Sequence, residues 1–477
     1  MTEDDRTEET PKSYRPIDAK GFREFISRGW GPVDRSVTLP EGLAEAAAAH
    51  RRKLAAALPG RRIALAAGRA PVRSNDTDFQ FRADSDFVWL TGCQAEGAVL
   101  VLSADGEATL YLRETAGPDE ADFFANARDG ELWIGPVPGL KDWSDALQIA
   151  CRPIEELPAA VRGAVPFMLS TPGVEPMLDA LVRTSPTDGN SLRQTLAELR
   201  RIKDDWELDQ LREAVAASVL AFGDVARELP EAIRGGGERW LQGTFDRRAR
   251  TAGNGVGYAS IVAAGNHAPV LHWVRNDGPV NEGDVILLDA GVETRTLYTA
   301  DVTRTFPATG EYTAAQRQVH DLVHKAQLAS LEAVKVGAPY RAFQYEALRV
   351  LAEGLKDWGL LNDVSIDELL GPDGQQHRRY IVCGTGHYIG LDVHDCDASR
   401  PEAYFAGTIE AGMALAVEPG LYFHPNDETV PPELRGIGIR IEDNVVVHSD
   451  RLEILTEDLP ITTDGLEQWT RSHLDGR

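Results

Sequence analysis

Asp289, Asp301, Glu418 and Glu442 each lie at the end of, or inside, a short apolar run: VILLDAG, YTADVTRTFP, GMALAVEPG and GIGIRIEDN. His387 lies in the glycine-rich stretch CGTGHYIGLDVHD. Burying a lone carboxylate is costly, so an acid in such a setting needs a counter-ion or a hydrogen-bonded partner. Four carboxylates and one imidazole brought together would be neutralised by two divalent cations, and a pair of cations can ionise a bridging water near neutral pH. The pattern therefore predicts a dinuclear metallohydrolase.

The remaining composition narrows the class further. With 49 basic and 75 acidic residues the formal charge is −26, which opposes binding to nucleic acid or to an anionic membrane. No apolar run reaches membrane-spanning length, and the start MTEDDRTEET is acidic rather than signal-like, so a cytoplasmic protein is expected. Cys93, Cys151, Cys383 and Cys396 are too scattered for a disulfide framework and read as reduced thiols. A zinc site from Cys383, His387, His394 and Cys396 competes poorly with the hard carboxylates elsewhere.

At 477 residues the chain should hold more than one domain. Residues 1–38 read as an acidic, partly disordered arm with an apolar patch between Phe22 and Trp30. Residues 39–190 read as an α/β domain: a helix in GLAEAAAAHRRKLAAAL, a strand in RRIALAAG, and further β-rich segments in DFVWLTG, AVLVLSA, ATLYLRE and ELWIG. Residues 191–477 read as α+β, with two long helices between Leu192 and Leu229, helices near 314–334 and 340–358, and a mainly antiparallel sheet carrying the acids.

Alternation locates the acids more closely. VILLDAG ends a buried strand on Asp289, while in TADVTRTFP Asp301, Thr303 and Thr305 share one face. A hairpin between these strands would bring the aspartates together. In GIGIRIEDN the isoleucines 437, 439 and 441 face one side and Arg440 and Glu442 the other, where a guanidinium can orient a carboxylate. Singly, each acid also reads as a turn or capping residue, Arg440 with Glu442 as a structural ion pair, and each histidine as a satisfied core side chain. The ordered set favours one shared site, with one of His387 and His394 a ligand and the other a proton donor or substrate clamp.

GYASIVAAGNHAPVLHW, LLDAG, ADVTRTFP, GTGHYIGLDVHD, VEPGLY and GIRIEDN, in that order, resemble the aminopeptidase P family, whose relatives include prolidase and methionine aminopeptidase. DFQFRADSDFVWLTG and AVLVL resemble that family's amino-terminal domain. The resemblance implies a pita-bread catalytic domain preceded by a smaller creatinase-like α/β domain, and two metal ions, with manganese the implied metal. It implies that Asp289 binds one ion, Asp301 and Glu442 bridge both, and His387 with Glu418 complete the second. Glu418 would shuttle a proton to and from the bridging hydroxide, His272 would lie near the scissile group, His394 would hold the substrate carbonyl, and Tyr422 and Arg440 would support the ligands. The implied substrates are peptides with proline in the second position, and the implied assembly is a homo-oligomer, dimer or tetramer. Cys383 stands where the family's signature has His or Ala, and the loop between Asp289 and Asp301 is one residue longer than is common. Prolidase, restricted to dipeptides, is the alternative activity, and a non-catalytic pita-bread binding module the alternative class.

Overall fold

The structure is a computed structural model that describes residues 20–162 and 168–475. Two compact units divide at Gly189 and Asn190, within the helix Pro186–Arg200.

The first unit is built on a five-stranded sheet in the order Ala150–Pro153, Ala108–Leu112, Val99–Leu102, Arg62–Ala66, Met168–Ser170. Its inner pairs are antiparallel and its two outer pairs parallel. The alanine-rich helix forms as expected over Leu43–Ala57. Two expected β segments are helices instead. DFVWLTG lies in the helix Ser85–Thr91, because the Asp84 side chain accepts from the Phe87 amide and Gly92, at φ 70°, closes the other end. These end signals outweigh the β propensity of the aromatic and branched residues between them. ELWI is a short helix over Glu131–Ile134. Of the acidic arm, residues 1–19 lie outside the described residues; Lys20–Ile26 is helical. Its apolar patch packs edge-on, Phe22 against Phe124 at 5.6 Å and Trp30 against Phe123 at 5.0 Å.

The second unit carries antiparallel sheets only, among the described residues. One runs Thr303–Pro307, Val285–Asp289, Ile261–Ala264; another runs Gly386–Tyr388, Ala414–Val417, Asp443–Val447, Leu452–Ile454. Gly420–Tyr422 pairs with Gly438–Arg440, and a single bridge between Thr303 and Glu442 links the elements that bear the acids. The helices fall near their expected places, with capping boxes Asp204–Glu207 ahead of Asp205–Arg227 and Thr313–Gln316 ahead of Ala314–Ala333. Val319, Val323 and Ala326 join Ile437, Ile439 and Ile441 in one apolar core. Each such buried branched side chain contributes about 1.5–3 kcal/mol, which holds the opposite, polar face of the strand in place.

Arg304 is 1% exposed although its neighbours in the alternation, Val302 and Phe306, are apolar core. Its guanidinium pairs with Asp443 at 2.7 Å and donates to the carbonyls of Thr303 (3.0 Å) and Glu442 (2.7 Å), so it ties together the two strand segments that carry acids.

The turn out of Val285–Asp289 depends on Gly291. A Cβ there would sit 1.6 Å from the Ala300 carbonyl oxygen, inside the pairing that returns the chain to Asp301. Gly291→Ala is expected to cost about 4 kcal/mol or more in unfolding free energy. Gly243→Ala, in the helix Gly237–Ala252 where an added Cβ meets nothing, should be neutral or stabilising. Chemical denaturation of both variants measures the contrast.

Candidate metal centre

Asp289 is the last residue of its strand, pairing with Thr303, and Asp301 lies just before the returning strand. The expected hairpin therefore forms, with Asp301 placed by the turn rather than by a ladder position. Asn444 fixes it there, accepting from the Asp301 amide at 2.9 Å and donating to the Asp301 carbonyl at 2.6 Å. Glu418 follows the strand Ala414–Val417, and its amide donates to Thr385. His387 sits on Gly386–Tyr388, opposite Ala416.

These elements converge. Oxygen atoms of Asp289, Asp301 and Glu442 lie within 4.8 Å of one another, and so do ligand atoms of His387, Glu418 and Glu442. Glu442 belongs to both groups. Its Oε2 accepts from the Thr303 hydroxyl at 2.8 Å, while its buried Oε1 has no hydrogen-bond partner among the described residues. A buried carboxylate that belongs to two clusters of ligand atoms and keeps one oxygen unsatisfied fits a position between two cations. Oxygen-rich donors with one imidazole suit divalent ions such as manganese, so these residues fit the implied metals.

The electrostatics agree. Burial raises the Asp289 carboxyl despite the neighbouring Arg440 cation. Burial, then Asp301 and Glu418, pushes Glu442 well up, and burial lifts Glu418 to about 7 against the pull of His387 and Arg440. Burial would depress His387, but Asp301 and Glu418 outweigh it and lift the imidazole to about 9. Asp289, Glu418 and Glu442 are each raised chiefly by burial. His387 Nδ1 donates to the Tyr388 carbonyl at 3.0 Å, which turns Nε2 toward Asp301 (3.3 Å) and Glu418 (3.7 Å) as the ligating nitrogen.

Arg440 grips Asp289 rather than its strand neighbour Glu442. Its Nε donates to Asp289 Oδ2 at 3.1 Å and to Thr303 Oγ1 at 3.2 Å, Nη2 also reaches Asp289, and Nη1 donates to the Tyr422 hydroxyl at 2.9 Å. His394 is exposed, its ring edge-on to His387 at 4.4 Å, and Nδ1 or Nε2 lies within 4.8 Å of ligand atoms of Asp301 and His387. Burial and the nearby His387 push its pKa down. His272 is exposed and joins none of these clusters. Cys383 lies half-buried, its thiol pushed up to about 11 by burial and by Glu418.

Sequence reasoning missed Tyr258. Its hydroxyl reaches Oδ1 of Asp289 at 2.7 Å and Oδ1 of Asp301, so one phenol clamps both aspartates. No periodicity or charge marks it in GVGYASI. Thr303 and Asn444 were visible only as neighbours of acids.

Comparison with known proteins places this geometry in a class. Residues 209–449 match metallopeptidase family M24, and residues 47–166 match the aminopeptidase P N-terminal domain. The chain is 45% identical over 463 residues to Xaa-Pro aminopeptidase 2 of Streptomyces coelicolor, covering 96% of this chain and 97% of that protein. It is 43% identical to Xaa-Pro aminopeptidase 1 of the same organism, covering 94% and 91%. The solved structure of an aminopeptidase from Pseudomonas aeruginosa superposes with a TM-score of 0.79 at 29% identity, over 92% of this chain and 99% of that one. The chain belongs to the aminopeptidase P family of M24 metallopeptidases, and it is a hydrolase with the pita-bread domain of that family.

Two outcomes follow from this geometry. Tyr258→Phe removes the hydroxyl shared by the aspartates and is expected to weaken divalent-metal binding about 10–100-fold, measured by titration calorimetry on metal-free protein with Mn2+ as the probe. Asp395, beside His394, is raised by burial but held down at about 2 by Arg200 and Lys203. A depressed carboxyl contributes stability above its unfolded value and loses it as pH falls through the folded one. Between pH 4 and pH 2 the wild type should therefore lose thermal stability more steeply than Asp395→Asn, as followed by circular dichroism.

Proposed function

We propose that this chain is a dinuclear metallopeptidase that releases the first residue from peptides with proline in the second position. The observation that carries the reading is Glu442, which belongs to both the Asp289–Asp301 and the His387–Glu418 groups and keeps one buried oxygen without a hydrogen-bond partner among the described residues. Asp289, Asp301, Glu442, His387 and Glu418 would hold the two ions, with manganese the proposed metal. When bound, the ions supply Lewis acidity that polarises the scissile carbonyl and lowers the pKa of water.

The chain's own groups do the rest. Glu418, the most solvent-accessible of the four acids with 21% of its side chain exposed, accepts the proton of the attacking water and passes it to the departing proline nitrogen as the C–N bond breaks. His394 presents its imidazole to the carbonyl oxygen as charge builds there. His272 assists at the scissile group. Arg440, itself tied to Tyr422, orients Asp289, as Tyr258 and Thr303 orient Asp301 and Glu442. Proline lacks an amide proton and has a fixed φ, so a pocket that demands that donor rejects it, and a dedicated enzyme is required.

The setting proposed is cytoplasmic, supported by four free cysteines, and the assembly a homo-oligomer. No helix among the described residues is long and apolar enough to cross a membrane.

Hydrolysis of Xaa-Pro and Xaa-Pro-Yaa peptides by metal-stripped and manganese-loaded protein tests the activity. Release of the first residue from the longer peptides, only with metal, is expected; cleavage confined to dipeptides would make the enzyme a prolidase. Glu418→Gln should lower kcat by about 10²–10⁴-fold with the fold unchanged by circular dichroism. Unchanged turnover removes Glu418 from its role.

A further inference from the structure

His394 is the exposed residue of a turn that is otherwise buried or half-buried, and its ring stands edge-on to His387. The residue after it is the opposite case. Asp395 is 1% exposed and points into a cluster of charges that the reaction does not touch. Lys203, its side chain also 1% exposed, donates to Asp395 Oδ2 at 2.7 Å and to the Arg200 carbonyl at 2.5 Å. Arg200 pairs with the other Asp395 oxygen and with Asp392 at 2.9 Å, so it grips the loop on both sides of His394. The Cys396 thiol donates to Asp395 Oδ2 at 3.2 Å, from a residue at φ 62° that turns the chain back. The approach is close enough that a Cβ on Gly390 would lie 2.3 Å from Asp395 Oδ2 and 2.8 Å from Lys203 Nζ.

The backbone carries this anchorage to the metal centre. The Asp395 amide donates to the Tyr388 carbonyl at 2.9 Å, and the same oxygen accepts from His387 Nδ1 at 3.0 Å. His387 and His394 are thus indexed to one carbonyl, the first through its ring and the second through its neighbour's amide.

A buried ion cluster contributes little to stability over apolar side chains of the same volume, yet each of its charges must meet a partner at a set place. We propose that Lys203 and Arg200 are positioning residues for catalysis, holding His394 against the substrate carbonyl by fixing the buried Asp395 next to it. The inference rests on the role given above to His394.

A double-mutant cycle in the full-length, manganese-loaded protein tests it, using Xaa-Pro-Yaa turnover as readout. Lys203→Met is expected to lower kcat on the order of 10²-fold, as a misplaced catalytic group does. KM and manganese content should stay within about two-fold of wild type. In a His394→Ala background the same substitution should have no further effect on kcat, because the group it positions is gone. Lys203→Arg should restore most of the turnover. A full additional loss of kcat in the His394→Ala background, or a loss that follows metal release, overturns the proposal while leaving the reaction intact. Unchanged turnover in His394→Ala alone overturns the role of His394, and this proposal with it. If Lys203→Met does not fold, the near-isosteric Asp395→Asn carries the same cycle with the same criteria.

Discussion

Four carboxylates with ligand atoms a few ångströms apart, nearly all removed from water, cannot remain ionised without compensating positive charge. Much of the second unit can be read as a response to that constraint. Arg440, Tyr258, Thr303 and the imidazole of His387 supply donors from within the protein, yet Glu442 retains an oxygen with none. The raised pKa values of Asp289, Glu418 and Glu442 reflect the shortfall, and divalent ions are a remedy that the donor set fits.

The fold delivers these groups through strand ends and turns, where backbone geometry is least negotiable. Gly291 lets the chain double back so that Asp289 and Asp301 meet, and Arg304 stitches the Thr303 and Glu442 segments through their carbonyls. The isoleucines on the far face of the Arg440 strand anchor it in the apolar core. Removing one partner from the buried Arg304–Asp443 pair would strand a charge at a cost of about 3–5 kcal/mol, which makes the scaffold behind the site nearly as sensitive as the site itself.

His387 and His394 show two ways of holding an imidazole. The first is fixed by its own ring nitrogen on the Tyr388 carbonyl, suited to a ligand whose direction must not vary. The second has an exposed side chain, while the residue that follows it is paired with the buried charges of Arg200 and Lys203.

The order of acids at the ends of apolar runs was readable from the chain, because alternation and turn residues are local and buried charge is conspicuous. So were the helices of the second unit and the core face of GIGIRIEDN. The helices at Ser85–Thr91 and Glu131–Ile134 were not, since aromatic and branched residues favour strands until end caps are counted. Neither was the role of Tyr258, nor the choice of Asp289 over Glu442 as Arg440's partner, because both depend on which strands lie side by side. Sequence by itself determined the donor set and hence the demand for cations. Only tertiary structure decided which oxygens come together and which donors orient them, because segments separated by more than a hundred residues meet there and no local pattern encodes their register.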